Sequence, residues 1–451
     1  MNMQHIELLM GTVSRIVWGW PLITFLLAVG FYFSYKLKVL KFSRLKLSVK
    51  YILERENGQG DISIFAALCT ALSATLGTGS IVGMAVAITV GGPGALFWLW
   101  VSSIFSFATK YAEGVLAIKY RQIGTDGSVS GGPMYYIRNG LKNTALANAF
   151  ALFGMITTLI GTGTLVQSNS IVVAFSSFGI HHSVSTIVLT VIVAAVTIGG
   201  LQRIAAVSEK IVPLMTIFYI GAAIIVLLIN CSKIPHLFRL ILHSAFAPKS
   251  ILGAGAGITT MIAASVGVSR GIYSHEAGLG SAAIAAAAAK TNSPVKQGFV
   301  SMAGALLSVI ICTMTALVIL VTCGDTLLTG TQTLEGVRLT SHAFGQGLGI
   351  AWIGKYVVNL SLILFAFTTI IGWNYYGEKC TQYIFGDKSV FPYKIIFILF
   401  VAIGPFFKIN AVFALADIVM GFMAIPNLIG LIGLRKAVIG ETEAFFSCSN
   451  K

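Results

Sequence analysis

Apolar runs of membrane-crossing length recur from one end of the chain to the other, and only short polar stretches separate them. Measured against the roughly 20 apolar residues that cross a hydrocarbon core, about eleven stretches qualify: 15–35, 62–90, 94–118, 147–175, 184–200, 211–230, 252–280, 299–322, 351–373, 393–408 and 411–434. The second run opens the stretch Cys69 to Trp100, which Gly77, Gly79 and Gly83 break near its middle. In lipid a helix must satisfy its backbone internally, so a break is tolerated where the freed amides line a protected cavity. The break at Gly77 to Gly83 is therefore expected to be a substrate site.

With the first span set aside, the other ten divide into two sets of five, and an odd number per set puts the sets in opposite orientations. The first member of each set carries the glycines: Ala74 to Gly83 in one, Ala264 to Gly280 in the other. Paired Gly-interrupted segments in corresponding positions of two halves point to the midplane site of an inverted-repeat transporter. Small residues also let membrane helices pack closely, and Gly79 with Gly83 forms a GxxxG pair. For one such segment packing is the commoner meaning; two in register, each mixing Gly with Ser or Thr, favour a site.

The expected fold is an all-α polytopic membrane protein. An extra N-terminal helix (1–35) and a basic loop (36–61) precede a first five-helix repeat (62–230). An outer loop (231–251), a second five-helix repeat (252–434) and a tail (435–451) follow. Arg15 ahead of Ile16 to Phe33 imitates a signal peptide, but no small-residue cleavage site follows, so the run reads as a retained span.

Composition fixes the class. A chain of 451 residues that is 56% hydrophobic and 10% charged cannot hide its apolar surface in one soluble core. The net charge of +15 comes from bases in short loops, not from a nucleic-acid-binding patch. One side receives Lys36, Lys38, Lys41, Arg44, Lys46, Lys50, Arg55, Lys119, Arg121, Arg138, Lys142, Arg203, Lys210, Lys290 and Lys296, then Lys379, Lys388, Lys394, Arg435 and Lys436. The other receives Arg15, Lys233, Arg239, Lys249, Arg338, Lys355 and Lys408. The crowded side is expected to be cytoplasmic, with the N-terminus outside and the C-terminus inside. Six cysteines show no CxxC pair and no metal spacing; a disulfide between Cys231 and Cys323 on the outer side stays open.

No intramembrane Ser–His pair, HExxH helix or aspartate-rich metal site marks an enzyme, and no repeated filter loop marks a channel. The residues present suit a small zwitterion. Backbone amides of Thr78, Gly79 and Ser80, at the start of a half-helix, suit a carboxylate. Unwound carbonyls or the amide oxygen of Gln167 suit an ammonium group. Gln167 and Asn169 could instead bond helix to helix. Buried charges cost at least about 2.5 kcal/mol each at the bilayer centre. Lys110 and Glu113, three apart, read as a structural or gating pair. Arg270, His275 and Glu276 cluster past the second break, as a gate, a proton relay or a structural pairing; Asp417 is a weaker candidate.

The stretch from Gly77 to Arg121, GTGSIVGMAVAITVGGPGALFWLWVSSIFSFATKYAEGVLAIKYR, and GGPMYYI at Gly131 to Ile137 resemble the alanine or glycine:cation symporters, also called sodium:alanine symporters. VQSNS (Val166 to Ser170), RGIYSHEAGLGSA (Arg270 to Ala282), CTMTALVIL (Cys312 to Leu320), FTTIIGWNYYGEKC (Phe367 to Cys380) and IPNLIGLIGL (Ile425 to Leu434) extend the likeness over nearly the whole chain. Ser80 and His275 stand where that family usually has Asn, and Leu99 and Ser106 replace its usual Met and Gly.

The resemblance implies a leucine-transporter-type fold of five plus five inverted helices and Na⁺-coupled symport of alanine or glycine, with no cofactor beyond the coupling ion. It implicates Gln167 and, as an aromatic wall, Trp373. It places Na⁺ among the carbonyls near Ala71 and Ala74 and the hydroxyls of Thr368 and Thr369. Adjacent threonines also commonly bond back to their own helix. A proton-coupled carrier of the same fold, working through His275 and Glu276, is the alternative.

Overall fold

In a computed structural model of the chain, the structure describes residues 10–14, 16–38, 42–54, 56, 58–124, 127–246, 260–328, 332–407 and 409–449. The loop cations Arg15, Lys41, Arg55, Lys249 and Lys408 lie outside them, as does the expected start of the seventh span, 252–259.

The described chain is helical throughout except for one short hairpin. Helices α1 (Trp20–Leu37) and α2 (Phe42–Leu53) precede α3 (Ile64–Thr75), whose first turn is capped by Ser63 Oγ accepting from Ala66 N at 3.0 Å. The chain then unwinds at Leu76 to Thr78, passes through a π-helical turn (Gly79–Gly83) and continues as α4 (Met84–Gly91); the two halves are bent by 54°. Helix α5 (Gly94–Lys119) leads to strands β1 (Gln122–Ile123) and β2 (Val129–Ser130), paired antiparallel with Gln122 opposite Ser130.

Helices α6 (Pro133–Leu141), α7 (Thr144–Ile160), α8 (Leu165–Ser177), α9 (His182–Thr197), α10 (Gly200–Ile229) and α11 (Ile234–Phe246) complete the first half. The second half holds α12 (Thr260–His275), α13 (Ser281–Ala287), α14 (Pro294–Leu328), α15 (Gly336–Gly347), α16 (Ala351–Phe385), α17 (Val390–Ile403), α18 (Ile409–Gly433) and α19 (Arg435–Ser449).

Among the described residues, seven helical stretches are long and apolar enough to cross a membrane, α7 with α8 counting as one, or eight when the bent pair α3 and α4 is taken as one span. The remaining expected spans fall on the 16-residue α9, on α5 with its Lys110, Glu113 and Lys119, and on α12. Large side chains such as Leu214, Ile217 and Leu228 on α10 lie open on the outer surface, where a bilayer would cover them.

Two breaks differ from the pattern the glycines predict. The second break does not lie within Ala264 to His275, which is continuous helix; it lies at Glu276 to Gly280. There Glu276 (φ 52°), Gly278 (φ 86°) and Gly280 (φ 79°) all take the left-handed conformation. Gly267 serves packing, since a Cβ there would fall 2.3 Å from the Ala95 carbonyl oxygen. A further break, at Gly161 to Thr164, divides the expected span 147–175 into α7 and α8.

Candidate functional site

The first break packs against the last turn of α12, just ahead of the second break. A Cβ at Gly79 would lie 2.8 Å from the Tyr273 ring, so glycine is what lets the first break approach α12. One residue on, Ser80 Oγ lies 3.5 Å from Ser274 Oγ, and Ser274 Oγ is in turn 2.9 Å from Ser308 Oγ and 2.8 Å from Cys312 Sγ on α14. The Ser80 carbonyl accepts from Thr315 Oγ1 at 3.0 Å, and that hydroxyl is 2.7 Å from Tyr219 OH. A belt of small polar groups thus joins the π-helical turn to α12, α14 and α10.

Gln167, on α8, reaches the same break. Its Oε1 accepts from Thr78 N at 3.4 Å, while Ser80 N donates to the Gly77 carbonyl at 3.2 Å. Two of the three amides expected to receive a carboxylate thus have protein acceptors in this conformation, and Gln167 uses the oxygen expected for an ammonium. Asn169 takes the other course: its Nδ2 donates to the carbonyls of Pro405 (3.3 Å) and Phe407 (3.0 Å), a helix-to-loop tie. Trp373 is wholly buried, edge-on to Tyr376 at 5.5 Å, and the third break comes close to it because a Cβ at Gly163 would be 2.9 Å from the Trp373 Cβ.

Of the residues expected around Na⁺, Thr369 is brought to α3, at Ser73 and beside Ala74, whereas no hydrogen bond joins Ala71 or Thr368 to that point. Thr369 Oγ1 is 3.0 Å from the Ser73 carbonyl oxygen on α3 and 2.9 Å from that of Phe365 on its own helix. Gly372 permits this contact, since a Cβ there would be 2.5 Å from Ser73 Oγ and 2.8 Å from Ala74 N. Thr368 turns back to Phe365 O at 3.0 Å, and the Ala71 carbonyl accepts from Thr75 Oγ1 at 2.8 Å. The donor set is all oxygen without a carboxylate, which fits a hard monovalent cation. Among the described residues no His, Cys, Asp and Glu grouping could hold a metal ion. Ser73, between Ala71 and Ala74, supplies the carbonyl that Thr369 reaches.

The charged groups are arranged differently from the expected cluster. Arg270 does not join His275 and Glu276; it lies 5.9 Å from the Tyr273 ring and lines a cavity of about 430 Å³ with Tyr273 and Asp417. The backbone carbonyl of Asp417 accepts from Trp18 Nε1 at 2.8 Å. Glu276 Oε2 accepts from Ser281 Oγ at 2.6 Å. Glu113 is more than a pair with Lys110 at 3.6 Å: its Oε1 accepts from Gly278 N (2.9 Å), Gly280 N (3.1 Å) and Asn427 Nδ2 (2.8 Å). Tyr136 OH donates to Asn427 Oδ1. A buried carboxylate therefore satisfies the amides that the second break leaves without helical partners.

Arg121, counted above only as a loop cation, closes one end of the molecule. Its Nη1 donates to the carbonyls of Ala287 (2.9 Å) and Ala289 (2.8 Å), and its Nη2 to those of Gln59 (2.8 Å) and Thr291 (2.7 Å). Ile62 and Ala289 form a parallel bridge alongside. Burial holds the guanidinium below the usual arginine range, and the nearby Asp61 carboxylate opposes that shift. Cys231 and Cys323 are not bonded to each other, the first exposed and the second buried.

The sequence model of the sodium:alanine symporter family matches residues 3–451. The chain belongs to this family. It is 42% identical to the sodium/alanine symporter AgcS of Methanococcus maripaludis, over 97% of this chain and 96% of that one. It is 45% identical to an uncharacterized transporter of Haemophilus influenzae, over 98% and 96% of the two chains. Against a probable sodium/glutamine symporter, GlnT of Bacillus subtilis, identity is 36% over 96% and 90%. The fold is similar to that of MhsT in its complex with L-phenylalanine, with a TM-score of 0.58 at 12% identity, over 86% of this chain and 99% of that one. A member of the sodium:alanine symporter family is a transporter, not an enzyme.

Proposed function

We propose that this sodium:alanine symporter family member carries a small neutral amino acid, alanine or glycine, into the cell together with Na⁺ by alternating access. The observation that carries the reading is the contact of the first break with the last turn of α12, through Gly79 and Tyr273, and Ser80 and Ser274, beside the all-oxygen set of Ser73 and Thr369. In this reading the ten spans after α1 form two inverted sets of five, giving eleven spans in a plasma membrane. The loop charges put the N-terminus outside and the C-terminus in the cytoplasm.

Thr78, Gly79, Ser80, Gln167 and Trp373 would then enclose the amino acid. Its carboxylate displaces Gln167 Oε1 from Thr78 N, and the freed amide oxygen turns to the ammonium group. Trp373, held between Tyr376 and Gly163, limits side-chain size. Na⁺ takes the carbonyls of Ala71, Ser73 and Ala74 with the hydroxyls of Thr368 and Thr369, so that its binding stiffens the contact between α3 and α16. The Arg121 seam, on the side given to the cytoplasm, opens when substrate and ion leave.

The test is uptake of labelled alanine into proteoliposomes under an inward Na⁺ gradient, and then with K⁺ replacing Na⁺ at constant pH. Accumulation only with Na⁺ is expected, and one net positive charge moved inward is favoured by about 2.3 kcal/mol per 100 mV. The buried Lys110, His275 and Glu276 favour one second reading, proton coupling. Uptake driven by an acid exterior and indifferent to Na⁺ would establish that reading and overturn the first.

A further inference from the structure

Between α3, α5, α14 and the ends of α12 and α13 that flank the second break lies a cavity of about 20 Å³. Its walls are mostly small and apolar, Ala71 and Ala286 among them, but Thr75, Ser301 and three larger polar side chains also line it: Lys110, His275 and Gln297. All three are buried, at 3%, 0% and 2% exposure. In each, an atom has no hydrogen-bond partner in the protein: Lys110 Nζ, His275 Nε2 and Gln297 Oε1. Glu113 Oε2, at 3.6 Å, attracts the ammonium group but is too far for a hydrogen bond.

The three orphaned atoms are complementary. His275 Nδ1 accepts from Ala277 N at 3.2 Å, so in the neutral ring the proton sits on Nε2, which is then a donor. Lys110 Nζ is a donor and Gln297 Oε1 an acceptor. Buried polar atoms in native proteins are rarely left without partners, and a shared water is the usual remedy. One water needs at least roughly 10–15 Å³ of such volume, and this cavity offers about 20 Å³.

We infer that the cavity holds one structural water, which accepts from Lys110 Nζ and His275 Nε2 and donates to Gln297 Oε1. An anion of similar size would meet the same two donors, but the charge balance opposes it. Lys110 already faces the Glu113 carboxylate, and Glu276 adjoins His275 in the chain, so an anion would be a third negative charge against one positive. The water would tie α5 and the end of α12 to α14 across the face of α3 that carries Ala71. This inference does not depend on which amino acid or ion is carried.

The test is a crystal structure of the full-length protein, at a resolution that shows ordered water, grown once in chloride and once in bromide. The expected result is one peak within hydrogen-bond distance of all three atoms and no anomalous bromine signal there. An anomalous peak would overturn the proposal in favour of an anion, and a cavity closed by Lys110 bonding directly to Gln297 would overturn it outright. In a full-length Gln297→Leu variant the peak should disappear; a peak unchanged in position would refute the part given to Gln297. Should that variant fail to fold, the wild-type pair of maps decides alone.

Discussion

Glu113 Oε1 receives the amide of Gly278 at 2.9 Å, so a carboxylate on α5 takes the place of the helical acceptor that Gly278 lacks. Glu113→Gln keeps an oxygen in place but leaves Lys110 buried without its counter-charge. Removing one partner of a buried pair costs about 3–5 kcal/mol, and a loss in thermal stability with at least a tenfold fall in uptake is expected. Adding Lys110→Met should recover part of the stability, as thermal unfolding of the single and double variants would show.

Thr369 is expected to matter more than Thr368 for Na⁺, because only Thr369 reaches across to α3. Thr369→Val preserves shape and removes the hydroxyl, and should raise the Na⁺ concentration for half-maximal uptake about tenfold, equivalent to roughly 1.4 kcal/mol. Thr369→Ser should stay near the native value and Thr368→Val should change it less. An unaltered Na⁺ dependence in Thr369→Val would remove this threonine from the ion site.

Much of this arrangement could be read in the chain, and the gaps have physical causes. The break at Gly77 to Gly83 was legible because three glycines interrupt an apolar run of membrane length. The second was placed too early because Gly267 and Gly271 look alike in sequence, whether they unwind a helix or let it pack against α5. The bend at Glu276 depends on Glu113, which no local pattern connects to it. Arg121 looked like one loop cation among twenty or so, since its four acceptors are backbone carbonyls brought to it by the fold.

Gly79→Ala should impair transport sharply, since the added methyl would lie 2.8 Å from the Tyr273 ring where the first break packs against α12. Overpacking of this kind costs about 1–3 kcal/mol. Combining it with Tyr273→Leu should restore uptake if steric pressure is the cause. Uptake in Gly79→Ala equal to the native rate would show that the first break and α12 have room to separate.

Arg121→Lys should behave nearly like Arg121→Ala, because a single ammonium cannot replace a fork that serves four carbonyls. Both should open the seam beside α13. A cysteine placed at the buried Ser281 should then react faster with a thiol reagent supplied from that side.

The seam also bears on how the protein is made. Ala289, which Arg121 holds, follows it by 168 residues. While the first half is being inserted, the arginine and the Gln59 to Ile62 segment therefore have no native carbonyls to grip from the second half. The clasp between the halves can close only after α12 and α13 have emerged. A ribosome-stalled chain ending before α12 should be cut near Gly58 and Gly60 by a protease that the finished protein resists, so this junction would report whether biosynthesis is complete.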